Sequence, residues 1–137
     1  MAKDVIHDAV KNALIKDGWT ITADPYHLRY EDKSLIADLK AERVLLVQRE
    51  AEIIVVEVKS FLGTSFMKEL QTALGQYQMY VAFLDQLERN EPVYLAVSAI
   101  VFQEQFQSKA VQMILNRYQV KLIVVDDQRE EITQWIK

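Results

Sequence analysis

The chain contains no cysteine, which excludes disulfides and thiolate metal centres and fits a reducing compartment. With only two histidines, His7 and His27, a tetrahedral structural zinc site has no ligand set either. Glycine is scarce as well. Gly18, Gly63 and Gly75 stand far apart and compose neither a GxGxxG turn nor a phosphate-cradling P-loop. No apolar run approaches the ~20 residues needed to cross a bilayer. The polar start from Met1 to Asp4 does not read as a secretory signal. Positive charge is not in excess: 16 Lys and Arg against 20 Asp and Glu give a net charge of −4, which opposes nonspecific attraction to a polyanion. These absences point to a soluble, cytoplasmic, non-membrane protein that does not coat DNA by charge alone.

What the chain has is apolar content. Half of its 137 residues are hydrophobic, enough for one sizeable core, so residues 1–137 are expected to form a single domain. From Asp4 to Lys16, Ile6, Val10, Ala13 and Leu14 recur at helical spacing, and Gly18 follows where a left-handed C-cap belongs. Trp19 to Thr22 alternates like a short strand that Asp24-Pro25 ends, and Ser34 to Leu39 is again extended in character. Glu42 to Gln48 and Glu52 to Lys59 are rich in Val, Ile and Leu and read as a hairpin across Arg49-Glu50-Ala51. In the second strand, Ile53, Val55, Glu57 and Lys59 share one face and Ile54, Val56 and Val58 the other. Both faces are apolar as far as Glu57, so this strand belongs at the centre of a sheet.

Thr64 or Ser65 can cap a following helix whose stripe runs through Phe66, Leu70, Leu74, Tyr77, Val81 and Leu84. Val93 to Val97, a helix near Ser108 to Arg117, and Lys121 to Val125 then suggest a parallel crossover. The tail from Arg129 to Lys137, with Ile132, Trp135 and Ile136, fits a last strand or a short helix. The fold class is α/β, with a mixed central sheet flanked by helices.

The chemically informative feature is an acid, Asp38, at the end of one extended segment, followed by Glu57-Val58-Lys59 at the end of the most apolar strand. Glu57 and Lys59 project on the same side, roughly 6.6 to 7 Å apart. Two carboxylates and an ammonium of this kind suit Mg²⁺ or Mn²⁺ and phosphodiester cleavage: Asp38 and Glu57 as ligands, with the Val58 backbone carbonyl beside them, and Lys59 to orient or deprotonate the attacking water. The same pattern is also what a strand end shows merely on reaching water, where an exposed Glu and Lys weigh little.

The order of these residues resembles the PD-(D/E)XK nuclease superfamily, Ala37-Asp38 standing in place of its Pro-Asp and Glu57-Val58-Lys59 as its (D/E)XK. Gln76 and Tyr80, on the flank of the long helix, look like the Gln-x-x-x-Tyr element of some branches. A closer resemblance runs through Ala2-Lys3-Asp4, His7, Val10-Lys11, Asp17-Gly18-Trp19, Ile36 to Leu39, Glu57 to Phe61, and Ile132 with Trp135-Ile136. These residues are similar to the XisH family, the fdxN element excision controlling factors of filamentous cyanobacteria.

That resemblance implies a restriction endonuclease-like fold and a part in programmed excision of a DNA element, a DNA rearrangement tied to heterocyst development. It implies DNA, a site-specific recombinase and an XisI-like companion protein as partners, and a two-fold homodimer would suit cutting of both strands. Two functions follow as expectations: a metal-dependent endodeoxyribonuclease site at Asp38, Glu57 and Lys59, or a non-catalytic regulatory protein that recruits XisI or a recombinase.

Elsewhere, His7 and Asp8 are expected on a solvated helix face, and Lys3, Lys11 and Lys16 as a weak basic patch. Ser60 and Thr64 are candidates for a phosphate at the start of the long helix, with capping the simpler role. Tyr26, Tyr30, Phe61 and Tyr94 are possible base-stacking residues, though more commonly core or rim.

Overall fold

The structure, a computed structural model, describes residues 4–45 and 50–137. Its elements run α1 (His7–Lys16), β1 (Thr20–Ala23), β2 (Tyr26–Tyr30), β3 (Lys33–Ala37), β4 (Leu39–Leu45), β5 (Glu50–Val58), α2 (Phe66–Gln86), β6 (Val93–Ser98), α3 (Ala99–Gln105), α4 (Lys109–Arg117), β7 (Lys121–Asp126) and β8 (Glu131–Ile136). Six strands form a mixed sheet in the order β1-β4-β5-β6-β7-β8, while β2 and β3 form a separate ribbon. The β5, β6 and β7 strands are parallel, and the outer pairs β1/β4, β4/β5 and β7/β8 are antiparallel. Among the described residues, no helix is long and apolar enough to cross a membrane.

The alternation along β5 decides the layering. Ile54, Val56 and Val58 join Tyr94 and Ala96 of β6 and Ile123 and Val125 of β7 in a core that α1 covers with Ile6, Val10, Ala13 and Leu14. Val55 joins Val93, Leu95 and Val97, and Leu122 and Val124, in a second core covered by α2 and α4. Strands buried on both faces are what crossover connections produce, since each crossover lays a helix against the sheet. Helix α2 starts at Ser65, whose hydroxyl accepts from the Lys68 amide at 3.3 Å, so of the two candidate caps the serine serves. The buried stripe of α2 is Leu70, Ala73, Tyr77, Tyr80 and Leu84, rotated slightly from the expected one, with Leu74 and Val81 at its margin.

One segment divides differently from the sequence reading, one lies outside the described residues, and one open alternative is decided. The extended segment Ser34 to Leu39 is two strands: β3 belongs to the ribbon, Asp38 is the corner, and Leu39 already pairs with Val56 in the main sheet. The tip of the β4–β5 hairpin, residues 46–49, lies outside the described residues. The tail is a strand, and β8 packs the half-buried Trp135 beside Trp19 and Tyr94, at ring separations of 5.8 and 5.1 Å.

One side chain ties α2 to two strand starts. The buried Tyr77 hydroxyl donates to the Val93 carbonyl at 2.8 Å and accepts from the Lys121 amide at 3.1 Å. Tyr77→Phe leaves both backbone groups without that partner in a buried setting. It is expected to lower stability by ~1–3 kcal/mol in urea unfolding, with an unchanged denaturant slope.

Candidate functional site

The acids singled out in the sequence do meet, at the carboxyl end of the central strands. The β4–β5 register pairs Leu39 with Val56, so one further step sets Asp38 opposite Glu57. There the backbone ladder gives way to a side chain: Asp38 Oδ2 accepts from the Val58 amide at 2.7 Å. Glu57 lies on the α2 face of β5 and is only 6% exposed. Lys59 is half-buried just beyond the strand, its amide donating to the Ala96 carbonyl at 3.1 Å.

Tyr80 of α2 completes the arrangement. It is buried, not a flank residue, and its hydroxyl is 2.9 Å from the Ile36 carbonyl and 3.1 Å from Glu57 Oε1. A phenol carries one proton, and a backbone carbonyl can only accept. Burial and then the nearby Glu57 carboxyl push the Tyr80 hydroxyl further up from its ordinary value, so it keeps that proton. That proton is shared between the Ile36 carbonyl and Glu57 Oε1, and the Tyr80 hydrogen bond taken alone lowers the Glu57 carboxyl. The contact between Glu57 and Asp38 is what calls for a proton on one of the two carboxyls, since two ionised carboxylates have none to share.

Electrostatics lead to the same state. Burial first, then the charge of Asp38, push the Glu57 carboxyl up to about 8 from 4.5, and Lys59 does not offset them. The balance favours the protonated form of Glu57 at neutral pH, against the lowering effect of the Tyr80 hydrogen bond and of Lys59.

The expected Mg²⁺ or Mn²⁺ site, with Asp38, Glu57 and the Val58 carbonyl as ligands, is therefore corrected. Among the described residues no group of three or more His, Cys, Asp or Glu side chains is placed to hold a metal ion. The physical reason is local. One of the two carboxyls is sealed under α2, where burial favours its protonated form, and the other spends an oxygen on the Val58 amide.

Helix α1 braces the same end. His7 is buried, not solvated: Nε2 lies 2.8 Å from Asp24 Oδ1, and Nδ1 lies 3.8 Å from Asp38 Oδ1. Lys11 Nζ donates to Asp24 Oδ2 at 2.9 Å. Burial raises the Asp24 carboxyl, but the hydrogen bonds and charges of Lys11 and His7 outweigh it and leave Asp24 below its usual value. Asp4 clasps Ser60, accepting from its amide at 3.0 Å and its hydroxyl at 3.1 Å, so Ser60 serves the fold. Lys16 donates to the Arg129 carbonyl, and Lys3 lies outside the described residues, so the patch expected of these lysines and Lys11 is partly spent on internal bonds.

Of the aromatic candidates, Tyr94 and Phe61 are buried. Phe61 packs 5.2 Å from Phe66 and 5.5 Å from Phe106 by ring centres, and holds a left-handed backbone at φ 55°. Such a conformation costs an aromatic residue ~1–3 kcal/mol, which the packing offsets. Tyr26 and Tyr30 sit in the ribbon, the former under Lys40 and the latter beside Phe83.

Sequence reasoning missed Asp4 and Asp24. Nothing in the one-dimensional pattern marks a loop acid as the partner of a residue 56 positions away. Tyr80 was singled out but placed on the flank; it lies on the i, i+4, i+7 line through Ala73 and Tyr77 that marks the buried face.

A mixed six-stranded sheet between helices, with an acid pair and a tyrosine closing the carboxyl end of its central strand, defines a mixed α/β protein built around a buried polar centre. The XisH protein family model matches residues 1–133, and the chain belongs to that family. It is similar to an XisH family protein from Nostoc punctiforme, with 39% identity, a TM-score of 0.88, and 98% of this chain and 100% of that one covered. It is also similar to an fdxN element excision controlling factor protein from Anabaena variabilis, with 40% identity, a TM-score of 0.87 and the same coverage. The search of curated proteins returns no match.

The raised Glu57 carboxyl fixes the sign of a pH effect. Its folded value lies above its unfolded one, so its contribution is fully present below about 4.5 and is lost as pH rises to about 8. Glu57→Gln, which mimics the protonated acid, should flatten that loss. In urea unfolding from pH 5 to 8.5 the variant is expected to gain on the native chain as pH rises, by at least ~1 kcal/mol across the window. Parallel curves would show that Glu57 is ionised throughout.

Proposed function

We propose that this chain is a non-catalytic control factor for excision of a DNA element, acting by contact with other proteins. The observation that carries this reading is the commitment of Asp38 and Glu57 to the fold: one bound to the Val58 amide, the other buried beneath Tyr80 and hydrogen-bonded to it. In this reading the chain keeps the residue order of a PD-(D/E)XK nuclease, and Asp38, Glu57 and Lys59 form a structural and electrostatic centre. The excision-control role is taken from the Anabaena variabilis relative. A net charge of −4 supports access to DNA through a recombinase or an XisI-like companion.

Exposed apolar residues at the same end of the sheet support protein contact. Val5, next to the Asp4 clasp, is 77% exposed; Leu62, after β5, is 68% exposed; Ile100, after β6, is 57% exposed. Exposed apolar side chains mark an interaction surface where they form a contiguous patch, and these three follow or flank elements that end here.

The test has two arms. Purified protein should leave supercoiled plasmid intact in Mg²⁺ or Mn²⁺, with or without the companion. In co-purification with that companion, Leu62→Glu with Ile100→Glu should weaken binding at least tenfold, about 1.4 kcal/mol, while Glu57→Gln and Lys59→Ala should bind as the native chain does. Plasmid nicking that disappears in Glu57→Gln would establish the nuclease reading instead.

A further inference from the structure

At the opposite end of the sheet from Glu57, a cleft of about 520 Å³ opens on the α1 face. This volume lies within the range of small-molecule sites. The half-buried Trp135 and the buried Trp19 and Tyr94 line it, and these include both tryptophans of the chain. Two ion pairs wall it: Arg43 with Glu52 at 3.1 Å, and Arg89 with Glu91 at 2.6 Å.

The walls carry unspent hydrogen-bonding capacity. Four buried side-chain polar atoms lack a partner among the described residues, and two of them, Arg43 Nε and Glu91 Oε2, belong to this one cleft. Buried polar atoms are satisfied in the great majority of cases, and each orphan costs ~1–3 kcal/mol. Here one orphan is a donor and the other an acceptor, on residues from different walls. Both orphan atoms are closed off from solvent, so an occupant meets them only when the side chains turn; Arg43 is about a third exposed, and turning gives up its surface pairs with Asp17 at 3.6 Å and Glu52 at 3.1 Å and its place 4.5 Å from the Trp19 ring centre.

We propose that this cleft binds a planar heterocycle with an acceptor edge and a donor edge, the pattern of a guanine base. Guanine offers O6 and N7 as acceptors, the pair that arginine reads, and ring and amino N–H groups to a carboxylate. Arg43 takes the acceptor edge, Glu91 the donor edge, and the flat apolar body lies against Trp135. Adenine fits poorly, since it turns an unprotonated ring nitrogen toward Glu91. This inference is independent of the excision-control reading, and it rests on residues at the other end of the sheet.

The two tryptophans make the test direct, because their indole N–H signals in a ¹⁵N-correlated NMR spectrum report the cleft alone. Guanosine is expected to shift the Trp135 signal with a Kd below about 1 mM, and adenosine to bind at least tenfold more weakly. Inosine, which lacks the exocyclic amino group, should fall between them. Glu91→Gln should reduce the preference for guanosine over adenosine to near unity, and the nucleoside series decides the matter should that variant fail to fold. A single-stranded oligonucleotide with one guanine distinguishes a base presented in a strand from a free nucleoside. No shift with either guanosine or the oligonucleotide at about 5 mM, or equal shifts with guanosine and adenosine, would overturn the proposal.

Discussion

A strand that is apolar on both faces has to be covered on both faces, and β5 is that strand. From Ile53 to Val58 it offers side chains alternately to α1 and to the α2–α4 layer, and the parallel strands β6 and β7 repeat the same partition. The rest of the molecule can be derived from this requirement. The crossover helix α2 lies where Val55, Leu95 and Leu122 need cover, and α1 lies where Ile54, Val56 and Ile123 need it. Glu57 continues the alternation of β5 on the α2 face. A polar residue therefore enters a layer built for apolar ones, and its carboxyl has to be satisfied without water.

The solution is local and uses three elements. Tyr80 reaches Glu57 from α2 and at the same time holds the Ile36 carbonyl of β3, so the ribbon, the helix and the central strand share one hydroxyl. Asp38, at the corner between ribbon and sheet, takes the Val58 amide. His7 and Asp24 continue the chain of polar contacts into α1. The centre resembles a catalytic site in its residue types and differs from one in its state: its Asp38 and Glu57 carboxyls are hydrogen-bonded to the fold, and burial pushes the glutamate toward the neutral form, while His7 Nδ1 has no hydrogen-bond partner among the described residues.

Much of the fold was legible because burial imposes periodicity. The alternation of Ile53 to Val58, the stripe through Leu70, Tyr77 and Leu84, and the Val93 to Val97 and Lys121 to Val125 runs all correspond to observed elements. The β2 strand was not legible. In Tyr26 to Tyr30 only Leu28 is buried, so a ribbon pinned by Tyr80 leaves almost no apolar signature. The site was legible as a meeting of residues and illegible as chemistry. Spacing along a strand gives the side on which Glu57 and Lys59 project. It does not say whether a helix covers that side, and the presence of Tyr80 there decides between a solvated carboxylate and a buried acid.

The ionisation state of Glu57 is the most direct test of this account. The chemical shift of its side-chain carboxyl carbon, followed by ¹³C NMR across pH in protein labelled at glutamate and assigned with Glu57→Gln, reports the proton itself. The account predicts a carboxyl still protonated at neutral pH, titrating near 8, with no response to millimolar Mg²⁺. A carboxylate already ionised at pH 6, or one whose signal moves when Mg²⁺ is added, would contradict it.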